Sequence, residues 1–558
     1  MTSSPSSAGP TDRDKRLALV ATIVGSTVVT VDATVVNVAL PGIERELGGG
    51  LAGQQWTANA YTLALGSLLL IGGSLGDLLG ERRVFSIGVS AFGVTSVLCA
   101  LAPSIELLVV ARALQGVAGA LLTPAALAVI VATFSAEERG RAVGTWLAWS
   151  GIGTVLGPLI GGQIVDSTSW RWIFAINVPL VLLTLFLIAR FVPAGRGGAE
   201  RPHLDWRGAL LAAFGLAGPT FALIEQPVLG WGSPAVIVPG LAGIVLLAAF
   251  LVYERRAREP MLPLGLFGRR NFAVGNLETF SMYAGLSMLF FFLVLYLQQV
   301  AGYSALQAGL ASVPVTIVMF LLSSRFGALA DRVGPRILLG AGPLVAASGF
   351  ALLIRLDSDV DYVADLLPAL LLFALGLSMT VAPLTSTVLA GADEQNAGIA
   401  SGVNNAIARV AGLISVAAIG VLVAAQFSAS IADSVGGRPL SASARAALAE
   451  AQRQPLAPVD LRGVPAAERR AVAQAVEEAS VSGFRLAMGT GALLVALGGI
   501  LGGVGIRGSG RGRRSVRAEE CPGGQLVGQP HDAARARVPS AVPAVPAGTT
   551  VTMEDHAT

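Results

Sequence analysis

An all-α membrane fold of fourteen spans is what this sequence predicts, and three observations carry it. Only 13% of the residues are charged and 53% are hydrophobic, with a mean hydropathy of +0.69; a soluble domain carries about a quarter charged residues. The apolar surplus is gathered into runs of about twenty residues, the length that crosses about 30 Å of hydrocarbon at 1.5 Å per residue. A Gly/Asp/Gly/Arg pattern occurs twice, as GSLGDLLGERR at 73–83 and GALADRVGPR at 327–336, as expected of a chain built from two related halves.

In chain order the spans fall at 17–40, 56–76, 84–102, 107–133, 142–165 and 172–191, which make a first six-helix bundle over 17–191. The pair at 207–225 and 235–253 is inserted after it. A second bundle over 272–506 takes the runs at 272–298, 306–330, 337–356, 363–390, 397–425 and 483–506. Residues 1–16 form a polar N-terminal tail, and the first run, which lacks a small-residue cleavage site, is a retained helix and not a signal peptide. Residues 426–482 form a long outer loop in which ARAALAEAQ and PAAERRAVAQAVEEAS read as short surface helices. The tail at 507–558, rich in Arg, Gly, Pro and Ser, reads as disordered.

Loop charge sets the orientation. With the N-terminus inside, roughly 18 Lys and Arg fall on the cytoplasmic side and roughly three in the short outer loops. Both termini are then cytoplasmic, on the inner membrane of a bacterium.

Several classes of function are disfavoured. The formal net charge of +3 is small and the basic residues sit at helix ends, not in a stripe, so nucleic acid is not a partner. Lys15, the only lysine, is followed by Arg16, so the chain has no phosphate-binding P-loop. Cys99 and Cys521 are far apart, and His203, His531 and His556 all lie outside the apolar runs. Neither a metal site, a cofactor nor an intramembrane enzyme is expected, and catalytic residues are not assigned.

The motifs resemble those of the major facilitator superfamily, specifically its fourteen-span drug/proton antiporter branch. The two repeated loops look like that superfamily's signature between the second and third helices of each half. VDATVVNVALP (31–41), ARALQGVAGALLTP (111–124), GIGTVLGPLIGG (151–162), WRWIFAINVP (170–179) and EPMLPLGLF (259–267) are similar to the branch's other motifs, in the same order, and the resemblance covers residues 17–506. It implies a gate built on Gly73, Asp77, Gly80, Arg82 and Arg83 and on Gly327, Asp331, Arg332, Gly334 and Arg336. Leu78 and Glu81 replace residues that are usually basic, and Pro335 stands opposite Glu81, so the charge pairing of this gate departs from the pattern.

The intramembrane polar residues supply the candidate chemistry. Asp32, in the outer half of the first span, is expensive to keep ionised in hydrocarbon, which suits a proton carrier; the plainer alternative is a packing or capping Asp. Arg112 cannot shed its proton in practice and needs partners; the resemblance implies that it helps control proton gain and loss, and a purely structural role is the alternative. Glu278 is a second proton site, a contact for a cationic substrate, or an interfacial acid. Gly153, Gly157 and Gly161 recur on one face of the fifth span with Gly162 nearby, where small residues let backbones approach, and Pro158 bends the helix; the resemblance makes this face the mark of an exporter. Asn37, Gln115, Asn404, Asn405 and Arg409 are candidates to line the cavity.

The expected function is a monomeric proton-coupled antiporter that exports small lipophilic or cationic compounds, such as antibiotics, with the bilayer, protons and a small molecule as its partners. A dedicated exporter of one endogenous metabolite is the alternative.

Overall fold

The computed structural model describes residues 11–193, 205–257, 260–391, 397–436 and 440–507. Most of the expected N-terminal tail and nearly all of the C-terminal tail fall outside these residues. The described chain is helical: α1 (Asp12–Leu47), α2 (Gly50–Leu79), α3 (Glu81–Ala100), α4 (Ile105–Thr133), α5 (Ala136–Ser167) and α6 (Trp172–Phe191) come first. The inserted pair is α7 (Trp206–Leu229) and α8 (Pro234–Arg256). Then follow α9 (Arg270–Gln299), α10 (Ala305–Val333), α11 (Pro335–Leu353), α12 (Tyr362–Ala390), α13 (Ala397–Val435), α14 (Ala442–Arg453) and α15 (Ala466–Gly505). Among the described residues, 13 of these helices are long and apolar enough to cross a membrane. The 30-residue α2 adds another, which gives the fourteen spans expected.

Helices extend past the apolar runs because polar caps continue them. Thr11 and Asp14 close a capping box at the start of α1, and Ser135 and Glu138 do the same for α5. Lys15 reaches Glu138 at 2.8 Å and ties the two starts together.

The halves share one packing scheme. In the first, α1 packs on α5 and α6, α2 on α4, and α3 on α4 and α6. In the second, α9 packs on α13 and α15, α10 on α12, and α11 on α12 and α15. The repeated loops bend alike. Gly80 (φ +90°) closes α2 and opens α3, and Gly334 (φ +87°) closes α10 and opens α11, in a left-handed conformation that a side chain would strain. Arg82 then donates to the carbonyl of Ala189 at the end of α6 (3.0 Å), and Arg336 to that of Gly503 at the end of α15 (2.6 Å). A cation at a helix C-terminus is favourable, and here it holds the third helix of each half to its sixth.

The inserted pair sits on the seam between halves. α7 packs against both α2 and α13, and α8 packs on α7. The Trp56 indole N–H of α2 donates to Glu225 of α7 at 2.8 Å, and the Trp56 ring lies 5.8 Å from that of Phe221. The segment at 426–482 departs from expectation. PAAERRAVAQAVEEAS is no separate surface helix but the first turns of the 40-residue α15. ARAALAEAQ does form a short helix, α14, which shares a small apolar core (Phe427, Leu448 and Val472 among others) with the ends of α13 and α15.

Candidate functional site

The face where α1 begins and α15 ends is called the terminal face here, and the opposite one the distal face. The halves meet towards the distal face. Gln298 of α9 donates to the carbonyl of Val38 (3.0 Å), and Gln55 of α2 to that of Val416 (2.7 Å). Asp166 at the end of α5 accepts the backbone N–H groups of Ala305 and Leu306, each at 2.9 Å. The glycines of α5 explain how close this approach is. A Cβ on Gly153, Gly157 or Gly161 would press on Thr27, Thr34 and Val35 of α1, so this stripe seats α5 on α1 within its own half. Gly162 faces the other half: its Cβ would stand 2.6 Å from Leu306 Cα, while Gly309 of α10 abuts the Pro158 carbonyl. Towards the terminal face the seam opens. On α13, Val416 and Leu413 are buried, Arg409 is half-buried and Asn405 is exposed.

Beneath the seal lies a buried polar network in the first half. Arg112 Nη1 is 2.5 Å from Asp32 Oδ2, with Asp32 wholly buried and Arg112 1% exposed. Asp32 Oδ1 accepts from Gln115 Nε2 (3.0 Å) and Asn177 Nδ2 (3.1 Å). Arg112 also donates to the Thr57 carbonyl (3.1 Å) and to Gln115 Oε1 (2.7 Å), and its guanidinium lies 4.4 Å from the centre of the Tyr61 ring. Ser96 Oγ accepts from Gln115 (2.9 Å) and Asn177 (3.3 Å). Five helices, α1, α2, α3, α4 and α6, therefore supply this network, and α4 and α6 bond the Asp32 carboxylate directly. Such a pair withstands burial only because its remaining lone pairs and protons are also satisfied.

Sequence reading found Asp32, Arg112 and Gln115 but missed Asn177, Ser96 and Tyr61. Asn177 stands inside WRWIFAINVP, so a signal was present, whereas nothing in an apolar run distinguishes Ser96. Other expected residues lie elsewhere. Asn37 is half-buried on α1, Asn404 accepts from Thr279 of α9 (2.7 Å) within the second half, and exposed Asn405 bonds its own helix at Ser401. Glu278 is wholly buried in the seam between α9 and α15, against Gly502, and both its carboxyl oxygens lack a partner among the described residues. It is in the other half from Asp32 and outside the network. Of the gate residues, Arg83, Asp331 and Arg332 are exposed, Gly73 faces Pro124 and Gly327 faces Ala382; the Asp77 side chain lies outside the described residues. Among the described residues, no group of three His, Cys, Asp or Glu is placed to hold a metal ion.

A repeated helical bundle, sealed on one face and open on the other around buried ionisable residues, is the build of a membrane transporter. The chain belongs to the Major Facilitator Superfamily, whose profile matches residues 22–416. It is 39% identical to the puromycin resistance protein pur8 of Streptomyces alboniger over 74% of this chain and 83% of that one. It is 37% identical to the cephamycin export protein CmcT of Amycolatopsis lactamdurans, over 72% and 84%. Its fold is similar to that of a bacterial homologue of the human lysosomal transporter Spinster, solved in an inward-facing, unoccupied conformation. That likeness has a TM-score of 0.62 at 16% identity and covers 89% of this chain and 97% of the other.

Proposed function

We propose that this chain is a proton-coupled antiporter that exports small lipophilic or cationic compounds, antibiotics among them, across the bacterial inner membrane. The observation that carries the reading is the Asp32–Arg112 pair inside its ring of hydrogen bonds. A proton on Asp32 would cancel the charge that holds Arg112, Gln115 and Asn177 together, so proton binding and helix packing are one event. The family and the names of pur8 and CmcT support export of organic molecules. The arginines at the terminal face support a cytoplasmic location for that face, which makes the open seam a route from the cytoplasm. Glu278 is the second acid we assign to proton handling, in its own seam. The reading involves no cofactor, catalytic step or nucleic acid, and the working unit is a monomer.

The test is transport in proteoliposomes. An imposed pH gradient, with no nucleotide present, should drive ethidium uptake against its gradient. Transport that needs ATP and persists after the gradient collapses would remove the antiporter reading. Export of a single endogenous metabolite is the second reading, favoured by the name of CmcT. A growth-inhibition panel on deletion and overexpressing strains separates the two by the breadth of compounds affected.

A further inference from the structure

The terminal end of the inserted pair holds two acids that lie outside the Asp32 network. Asp205 is the N-cap of α7, and its Oδ1 accepts the backbone N–H of Gly208 (2.9 Å) and the Tyr253 hydroxyl (2.8 Å). Glu254, 2% exposed in the last turn of α8, accepts the backbone N–H of Leu262 on Oε2 at 2.8 Å. The remaining oxygens, Asp205 Oδ2 and Glu254 Oε1, are buried and have no donor among the described residues. Both face Gly208, where a Cβ would stand 2.5 Å from the first and 2.8 Å from the second. Two bare acceptors therefore converge on one glycine.

Two carboxylates that share a buried site do not both stay ionised, and one proton between them satisfies both bare oxygens. Its place follows from the other partners. Asp205 caps a helix N-terminus and has two donors, which favour its ionised form, whereas Glu254 has one. The proton then sits on Glu254, whose Oε1–H donates to Asp205 Oδ2. Around the pair, Arg207, Arg255 and Arg256 are exposed, and residues 260–268 carry no charged side chain. Half-buried Tyr253 commits its hydroxyl to Asp205. On α2 and α13, which pack on α7, Arg409 lies level with Leu216, about two turns further along. Asp433 lies near the distal face, and the Asp77 side chain lies outside the described residues. The site also reaches the second half, because Leu262 packs beside Leu266, Phe272 and Leu339 in one of its cores.

We propose that Asp205 and Glu254 form a proton-binding site whose one shared proton latches the terminal end of the inserted pair to the connector at 260–268. Loss of that proton sets two anions against each other and frees the connector. The folded chain holds a proton here that the unfolded chain releases, so the stabilisation is present at low pH and is lost as the pH rises. The latch is independent of what the chain transports and of Asp32.

Infrared difference spectroscopy on the purified full chain in detergent detects protonated carboxyls by their C=O band. At neutral pH Glu254→Gln should remove one such band, and raising the pH should remove the same band from the wild type. Asp205→Asn should let Glu254 ionise at lower pH, because the neighbouring negative charge is gone. Glu450→Gln removes an exposed acid of α14 and should remove no such band. Hydrogen exchange over residues 262–266 reports the latch itself. Glu254→Gln keeps an amide donor for Asp205 at every pH, and comparison with it at the same pH cancels the intrinsic pH response of exchange. Relative to that variant the wild type should exchange equally at neutral pH and about tenfold faster at alkaline pH, the scale of a lost charge-assisted hydrogen bond. No band lost in Glu254→Gln, an unshifted pH response in Asp205→Asn, or no relative acceleration of exchange would each overturn the shared proton. Exchange that slows on adding Mg²⁺ at fixed pH would place a cation between the acids and overturn it as well. Should Glu254→Gln fail to fold, the wild-type band and its shift in Asp205→Asn decide on their own.

Discussion

Asp166, at the end of α5, accepts the backbone N–H of Leu306 across the boundary between the halves at 2.9 Å, and that of Ala305 at the same distance. The carboxylate thus holds the first turn of α10, where N–H groups have no helical partner of their own. Every cycle that opens the distal face must break this contact. Asp166→Ala should raise the rate at which a cysteine placed at Leu306 reacts with an impermeant maleimide by severalfold, and Asp166→Asn by less. Unchanged labelling in Asp166→Ala would show that the glycine packing alone holds the seal.

That packing gives its own prediction. A Cβ at Gly162 would meet Leu306 Cα at 2.6 Å, whereas Gly151 has nothing within 4 Å. Overpacking of this kind costs about 1–3 kcal/mol. Gly162→Ala should lower thermal stability in detergent and admit distal labelling, and Gly151→Ala should do neither. Equal behaviour of the two variants would remove Gly162 from the seal.

The Asp32–Arg112 pair predicts an asymmetry between single and double variants. Arg112→Gln leaves a buried carboxylate without its cation, and the loss of one partner of a buried pair costs about 3–5 kcal/mol. Asp32→Asn with Arg112→Gln removes both charges and should recover part of that stability. The measurement is a double-mutant cycle on thermal unfolding. Additive losses would mean that the two residues are not energetically coupled.

Coupling itself is tested by pH. If substrate and proton compete through Asp32, substrate affinity should fall as the pH is lowered. Asp32→Asn should bind substrate with little pH dependence and should lose gradient-driven efflux while remaining in the membrane. Glu278→Gln should keep the pH dependence of binding, because Glu278 lies in the α9–α15 seam and outside the network. The converse result, dependence lost only in Glu278→Gln, would move the coupling site to the second half.

The spans, the repeat and the family were legible from the residues because each rests on local chemistry. Twenty apolar residues cross hydrocarbon whatever surrounds them, and Gly80 and Gly334 mark the same bend in both halves. Asp32 and Arg112 were also legible, since a charge inside an apolar run is costly and therefore conspicuous. What the charges face was not. Asn177 bonds Asp32 from a helix far along the chain, and Ser96 of a third helix bonds Asn177 in turn. Gly162 differs from Gly161 only by a rotation of about 100° around α5, yet one faces its own half and the other faces the partner half. The buried state of Glu278 was equally hidden, because depth along a helix follows from residue number and direction around it depends on the neighbours. The sequence alone therefore determined which side chains enter the membrane and at what depth. Only the tertiary structure decided which of them meet, because hydrocarbon sets the length of a helix but its packing partners set its rotation.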